Sequence, residues 1–230
     1  MNFRIFGVAL VMTLLGGCAS IPPQQPLPVS PDLLSSKSAR IAVVMAPMPK
    51  VDTQFPGAGC LLCLAAASMT NSSLTNYVQT LSTEDIVRLP AELTKSLRAR
   101  GLEATQIPDV LDVSKLPDVA KAQPNFASKN FSSLKTKFNA DKLLVIEIQA
   151  LGVWRNYANY FPAGDPRAVM KGRAYIVDLT TNALDWYTLI DVMRAADAKW
   201  DEAPSFPGLT NAYYQALEAG RDTVKQPFLQ

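Results

Sequence analysis

The chain has 230 residues and a mass of 25.0 kDa, with 22 Lys and Arg against 20 Asp and Glu and no histidine. A net charge of +2 gives no basis for nucleic-acid binding driven by phosphate neutralisation. The missing imidazole excludes Ser-His-Asp and Cys-His catalysis and His-ligated zinc.

The first segment reads as an address. Arg4 supplies a positive start, and Ile5 to Leu15 is an apolar run of about 11 residues broken only by Gly7 and Thr13. That length suits a signal segment, because a membrane-spanning helix needs roughly 20 residues. The run ends in Leu15-Gly16-Gly17-Cys18, which resembles the bacterial lipobox. The resemblance implies cleavage before Cys18, diacylglycerol on its thiol and a further acyl chain such as palmitate on the freed amine. Together these chains give stable anchoring, where a single one is marginal. Ala19 stands where lipoproteins retained in the inner membrane carry Asp, so the expected address is the outer membrane, facing the periplasm. Residues 18–38 follow as the lipidated N-terminus and a proline-rich tether, whose composition predicts an extended, poorly packed strand of chain. The body is expected over 39–230.

Arg40 to Ala46 is a short apolar run rich in β-branched residues and predicts a buried central strand, ended by Pro47 and Pro49. Val51 to Leu81 forms an insertion after it. Ser82 and Asp85 have capping-box-like spacing, and Pro90 interrupts or restarts a helix carrying Leu93 and Leu97. Arg98 and Arg100 lie in that helix's last turn and Gly101 suits its end. Leu102 to Ile107 is a second strand. The mixed stretch 108–130 holds at most a helical turn near Val110–Leu116, and Phe131 to Phe138 forms another short helix closed by Asn139-Ala140-Asp141.

Leu143 to Ile148 is the strongest strand signal, with continuation through Trp154 toward Tyr160. After the turn Pro162–Pro166, Val169 to Leu179 returns as a strand. Leu184 to Val192 follows with Trp186, Thr188, Ile190 and Val192 on one face. Pro207 suits the first turn of a terminal helix with a stripe of Leu209, Tyr213, Ala216, Leu217 and Gly220. Early alternation followed by a meander predicts one α/β (α+β) domain. It has a mixed sheet, helices packed on it, an antiparallel C-terminal meander and a terminal helix.

This order of elements resembles a group of Gram-negative envelope lipoproteins whose body is similar to the N-terminal domain of the Tol-system propeller protein and to the curli-secretion lipoprotein. The residues that carry the resemblance are Ile41–Ala46 after a proline-rich tether, the helix end Arg98-Ala99-Arg100-Gly101, and Phe138-Asn139-Ala140-Asp141 leading into Leu143–Ile148. The hairpin from Val177-Asp178 through Thr181-Asn182 to Trp186 completes the set, with Asn182 where Gly is usual. The resemblance implies a fold and an envelope role as subunit, adaptor or assembly factor. It carries over no catalytic residue.

With Cys18 assigned to lipid, Cys60 and Cys63 are the remaining thiols, in C-x-x-C spacing. Four readings stay open: a structural disulfide in an oxidising periplasm, a packed apolar pair, a redox pair, and an intermolecular zinc site. A redox pair is expected at an exposed helix N-terminus that lowers the thiol pKa. Cys60 to Ala67 is also an uninterrupted apolar block, read as a buried helix or loop covering the sheet, or else as an oligomer or membrane-surface contact. Asn71-Ser72-Ser73 matches a glycosylation acceptor, a pattern of little meaning in a bacterial envelope protein.

Trp154, Tyr157, Tyr160 and Phe161 cluster near a hairpin tip with Arg155 and Arg167 close by, a composition suited either to a partner contact or to packing on the sheet. Asp197, Asp201 and Glu202 flank Lys199 and Trp200 at loop spacing, without the ladder of a calcium loop. No phosphate-cradling glycine motif and no G-x-S-x-G occurs. The sequence therefore predicts a non-catalytic, lipid-anchored subunit or accessory factor of an envelope complex. It implies no cofactor and no metal, and the expected partners are the outer membrane and an envelope protein or a further copy of the chain. A thiol–disulfide helper and an oligomeric secretion-channel subunit are the alternatives.

Overall fold

The computed structural model describes residues 23–35, 38–121, 123–197 and 199–229. Cys18 and the signal-like run before it lie outside the described residues.

The chain enters through α1 (Pro31–Ser35) and forms β1 (Arg40–Met45), β2 (Asp52–Gln54), α2 (Leu61–Thr70), α3 (Ser72–Val78), α4 (Glu84–Val87) and α5 (Leu89–Ala99). It continues with β3 (Glu103–Gln106), α6 (Leu134–Phe138), β4 (Lys142–Trp154), β5 (Tyr157–Ala158) and β6 (Phe161–Pro162). The last elements are β7 (Arg167–Asp178), β8 (Leu184–Ala195) and α7 (Pro207–Lys225). Six strands make one mixed sheet in the order β3-β1-β4-β7-β8, with β2 also on β4. β1 is parallel to β3 and β4, and β4-β7-β8 is the antiparallel meander. This is the α/β domain with a C-terminal meander and terminal helix that the pattern predicts.

β1 and β2 lie end to end along one edge of β4. β1 pairs with Lys142 to Ile146, and β2 with Gly152 to Trp154. Pro47 and Pro49 sit in the gap, where a missing N–H cannot continue the ladder. Gly152 makes the second pairing possible. Its φ is +132°, and a Cβ there would stand 2.0 Å from the Asp52 carbonyl oxygen.

Both faces of the sheet carry a core, as alternating side chains require. On one face Val43, Leu144, Ile146, Met170, Ile176, Trp186 and Ile190 pack under α3, α5 and α7. The stripe Leu209, Tyr213, Ala216, Leu217 and Gly220 is buried there. Glu92 of α5 accepts from Arg221 and Lys225 of α7 at 2.6–2.8 Å and clamps the two helices together. The other face is covered by the segment between β3 and β4, through Leu111, Ala127, Phe131 and Leu134 over Val145, Tyr175 and Val177. The meander start is clasped by Lys142, whose ammonium donates to Asp178 (2.9 Å) and Asp185 (2.7 Å).

Two expectations need correcting. The tether does not stay off the body up to residue 38. Leu27 exchanges backbone hydrogen bonds with Tyr187, Ser30 donates to Asp185, and Leu33 is buried. The reason is the pair Leu27 and Leu33, whose burial offsets the cost of ordering a proline-rich segment. The strand through Trp154 also does not run on toward Tyr160. It stops at Trp154, and residues 157–162 form a separate two-stranded hairpin, β5–β6.

Candidate contact surface at α2 and the β5–β6 hairpin

The insertion after β1 folds into a helix with little to cover it. No charged residue occurs between Asp52 and Glu84. Within α2 only Cys63 and Ala67 are buried, whereas Leu61, Leu62, Leu64 and Met69 are exposed by 88, 72, 44 and 77%. The expectation of a buried helix covering the sheet therefore fails. One small-residue edge faces inward and the leucines face out. A ten-residue segment needs only one seam to hold it, and Cys63 and Ala67, four residues apart, supply that seam.

The hairpin stands beside α2. Asn159 donates its N–H to Gly57, and Tyr157 donates to Pro56, so residues 56–59 run along the hairpin. Gly57 has φ +87°, and a Cβ on it would meet the Tyr157 carbonyl oxygen at 1.9 Å. Only glycine allows that approach. The Tyr160 hydroxyl stands 3.7 Å from Cys60 Sγ. At the tip Tyr160 and Phe161 are 50 and 74% exposed. Leu61, Leu62, Leu64, Met69, Tyr160 and Phe161 are thus six of the twelve large apolar side chains exposed among the described residues, gathered on two adjoining elements.

A buried polar joint holds the two elements together. Asn71, at the end of α2, donates from Nδ2 to the Ala67 carbonyl and to the Tyr157 hydroxyl, both at 2.7 Å, and accepts from Arg155 Nη1 at 2.7 Å. Arg155 also lies 4.6 Å over the Trp200 ring. With every polar atom of its side chain partnered, Asn71 sits in the interior without an orphaned group. Its burial also removes the glycosylation reading of Asn71-Ser72-Ser73. Of the four aromatics expected at the tip, Tyr160 and Phe161 are exposed and Tyr157 is buried. Trp154 is half-buried with Lys171 5.0 Å over its ring.

Cys60 and Cys63 form a disulfide, with Cα atoms 4.9 Å apart. Cys60 is the N-cap of α2, and its Sγ accepts the Cys63 N–H at 2.9 Å. One sulfur is therefore exposed at a helix N-terminus while the Cys63 side chain is buried. The sequence did not place a helix start at Cys60, because a cysteine is not among the residues that ordinarily mark one.

A second polar cluster lies on the sheet itself. Glu147 accepts from Arg173 Nε and, at 2.6 Å, from the Tyr175 hydroxyl. Burial, and then the Glu147 charge, push the Tyr175 hydroxyl far above its ordinary range. Arg173 and Tyr175 border a cavity of ≈ 90 Å³ shared with Phe131, Tyr187 and Gln24. At the loop before α7, Asp197 accepts from Asn211 and Gln215. Among the described residues no three Cys, Asp, Glu or His side chains converge as a metal site would require, and no helix is long and apolar enough to cross a membrane.

No protein-family model matches the chain, and no curated protein matches it. Several solved structures are similar in outline. Protein XCC0632 from Xanthomonas campestris is 12% identical, with 86% of this chain and 90% of that one covered at a TM-score of 0.40. The PelC dodecamer from Paraburkholderia phytofirmans is 11% identical, with 85 and 93% covered at 0.29. Lipoprotein GNA1162 from Neisseria meningitidis is 12% identical, with 78 and 98% covered at 0.29. At these scores the likenesses carry no assignment of function.

Proposed function

We propose that this protein is a lipid-anchored envelope lipoprotein, held at the outer membrane through Cys18 and acting by contact, as a non-catalytic subunit or accessory factor of an envelope complex. The observation that carries the reading is the register of Arg4, the apolar run and Leu15-Gly16-Gly17-Cys18. The uncharged, outward-facing leucines of α2 support action by contact, since exposed apolar clusters of this kind mark interaction surfaces. Two experiments test it together. Cys18→Ala should release the protein from the membrane fraction or stall its precursor, and in-cell crosslinking of the wild-type protein should return a reproducible envelope partner. A variant that stays anchored, or a crosslinked sample with no partner, contradicts the reading.

One observation favours a second reading, a thiol–disulfide helper. Cys60 caps α2 with the Cys63 N–H directed at its sulfur, an arrangement that stabilises a thiolate. In that reading a client dithiol would reduce Cys60–Cys63 and leave with a disulfide of its own. Incubation with a reduced dithiol peptide distinguishes the two. Turnover to oxidised peptide with stoichiometric appearance of Cys60 and Cys63 thiols supports a helper, and an unchanged disulfide supports a structural one.

A further inference from the structure

We infer that the exposed apolar surface of α2 and the β5–β6 hairpin seats an unfolded polypeptide client whose cysteines are flanked by apolar residues, and presents those cysteines to Cys60 for oxidation. The inference rests on the thiol–disulfide reading and names the class of its client.

Burial fixes the atom that reacts. Cys60 is exposed, whereas Cys63 is only 2% exposed, so an incoming client thiolate reaches Cys60 Sγ. A bond forms between the client sulfur and Cys60 Sγ. The Cys60–Cys63 bond breaks, and its electron pair goes to Cys63 Sγ, which takes up a proton. The client's second thiol then attacks the client sulfur of this mixed disulfide, and Cys60 Sγ departs with the electron pair. The Cys63 N–H, directed at Cys60 Sγ at 2.9 Å, stabilises the departing thiolate. Two electrons and two protons pass from the client to Cys60 and Cys63, so one protein disulfide oxidises one client dithiol.

The surroundings of that atom select the client. Leu61 and Leu62 stand between the two cysteines and Leu64 follows them, all three exposed. The Tyr160 hydroxyl lies 3.7 Å from Cys60 Sγ, and Phe161 beside it is 74% exposed. No charged residue occurs in 53–83 or in 156–164, and Arg155 is turned into the joint with Asn71. A small hydrophilic thiol gains nothing from such a surface. A folded protein does not match it either. Cysteine is among the most buried residue types, so in a folded chain the thiol and its neighbours face a core. An unfolded chain exposes a cysteine together with its apolar flanks, and those flanks are what an uncharged apolar surface beside a reactive disulfide can hold.

The test uses the full mature protein, reconstituted in vesicles so that no detergent competes for the surface. It is mixed with one of two dithiol peptides of equal length and cysteine spacing. In one the cysteines are flanked by Leu and Phe, in the other by Ser and Gly. Alkylation followed by peptide mass reads the thiols of Cys60 and Cys63 against time. The Leu/Phe peptide should reduce the disulfide about tenfold faster, a gain that burying roughly 55 Å² of apolar surface supplies. Phe161→Ser, at a side chain already in solvent, should bring the ratio of the two rates toward one. Leu229→Gln, at an exposed apolar side chain outside this surface, should keep the ratio of the wild type. Equal rates for the two peptides overturn the inference and leave the helper reading standing. A ratio that survives Phe161→Ser, or one that is lost in Leu229→Gln, also overturns it. A disulfide that neither peptide reduces sinks the helper reading itself.

Discussion

The amide of Asn71 and the hydroxyl of Tyr157 meet at 2.7 Å in the interior, across 86 residues of sequence. This bond joins the end of α2 to the hairpin, so the exposed surfaces of the two elements stand or fall together. Removing either partner leaves a buried polar atom short of a bond, a cost of about 1–3 kcal/mol. Tyr157→Phe and Asn71→Leu should each lower the urea midpoint. The double variant should lose less than the sum of the two, with a coupling of about 0.5–3 kcal/mol in a double-mutant cycle. Strict additivity would mean that the joint does not hold α2 to the hairpin.

Gly152 and Gly164 have the same φ, +132°, but different surroundings. A Cβ at Gly152 would strike Asp52 backbone atoms, whereas at Gly164 nothing lies within 4 Å. Gly164→Ala should therefore cost only backbone strain, about 1–3 kcal/mol. Gly152→Ala should cost clearly more and separate β2 from β4, read as faster amide exchange at Asp52 to Gln54. Equal denaturation midpoints for the two variants would show that the close approach of β2 does not matter.

Acid should loosen the meander first. Burial alone would raise the Asp178 carboxyl, but the N–H groups of Thr181 and Thr180 and the Lys142 ammonium outweigh it and hold it at about 2. A carboxyl lowered on folding contributes stability that is complete above its unfolded value, near 3.8, and is lost as pH falls toward 2. Asp141, held down by Arg40, acts with the same sign. The wild-type denaturation midpoint should therefore fall steeply between about pH 4 and 2, and Asp178→Asn should flatten that slope while lowering stability at pH 7. A slope identical in the two proteins would remove Asp178 from the acid response.

The Cys60–Cys63 disulfide closes a very short loop. A chain-entropy estimate for such a loop is about 2 kcal/mol, near the low end for disulfides. Reduction should lower Tm by a few degrees and speed amide exchange at Leu61 to Leu64, while β4, β7 and β8 keep their protection. Global loss of protection on reduction would contradict a local role.

The sheet was legible in the sequence because its signals are periodic. Ile41–Ala46, Leu143–Ile148 and the Val177–Trp186 hairpin announce strands by β-branched runs and turn residues, and α7 by its stripe. Asn182 does adopt φ +66°, as the hairpin pattern requires. The pattern gave no sign that its side chain also binds the Ala127 and Lys129 carbonyls and the Phe131 N–H, fastening the covering segment to the turn. The candidate surface was legible only in pieces. An apolar block such as Cys60–Ala67 ordinarily means burial, and nothing local distinguishes a leucine that faces a core from one that faces out. The joint among Asn71, Arg155 and Tyr157 was not legible as a joint: Asn71 stood out only in a glycosylation pattern and Arg155 and Tyr157 only at a hairpin tip, and the fold alone brings them together across more than 80 residues.

The most direct test of the account is the mass of the N-terminal peptide of the protein extracted from membranes. The account predicts a chain beginning at Cys18, heavier than the bare peptide by a diacylglyceryl group on sulfur and an acyl chain on the amine. A chain beginning elsewhere, or a Cys18 with a free thiol, would contradict it.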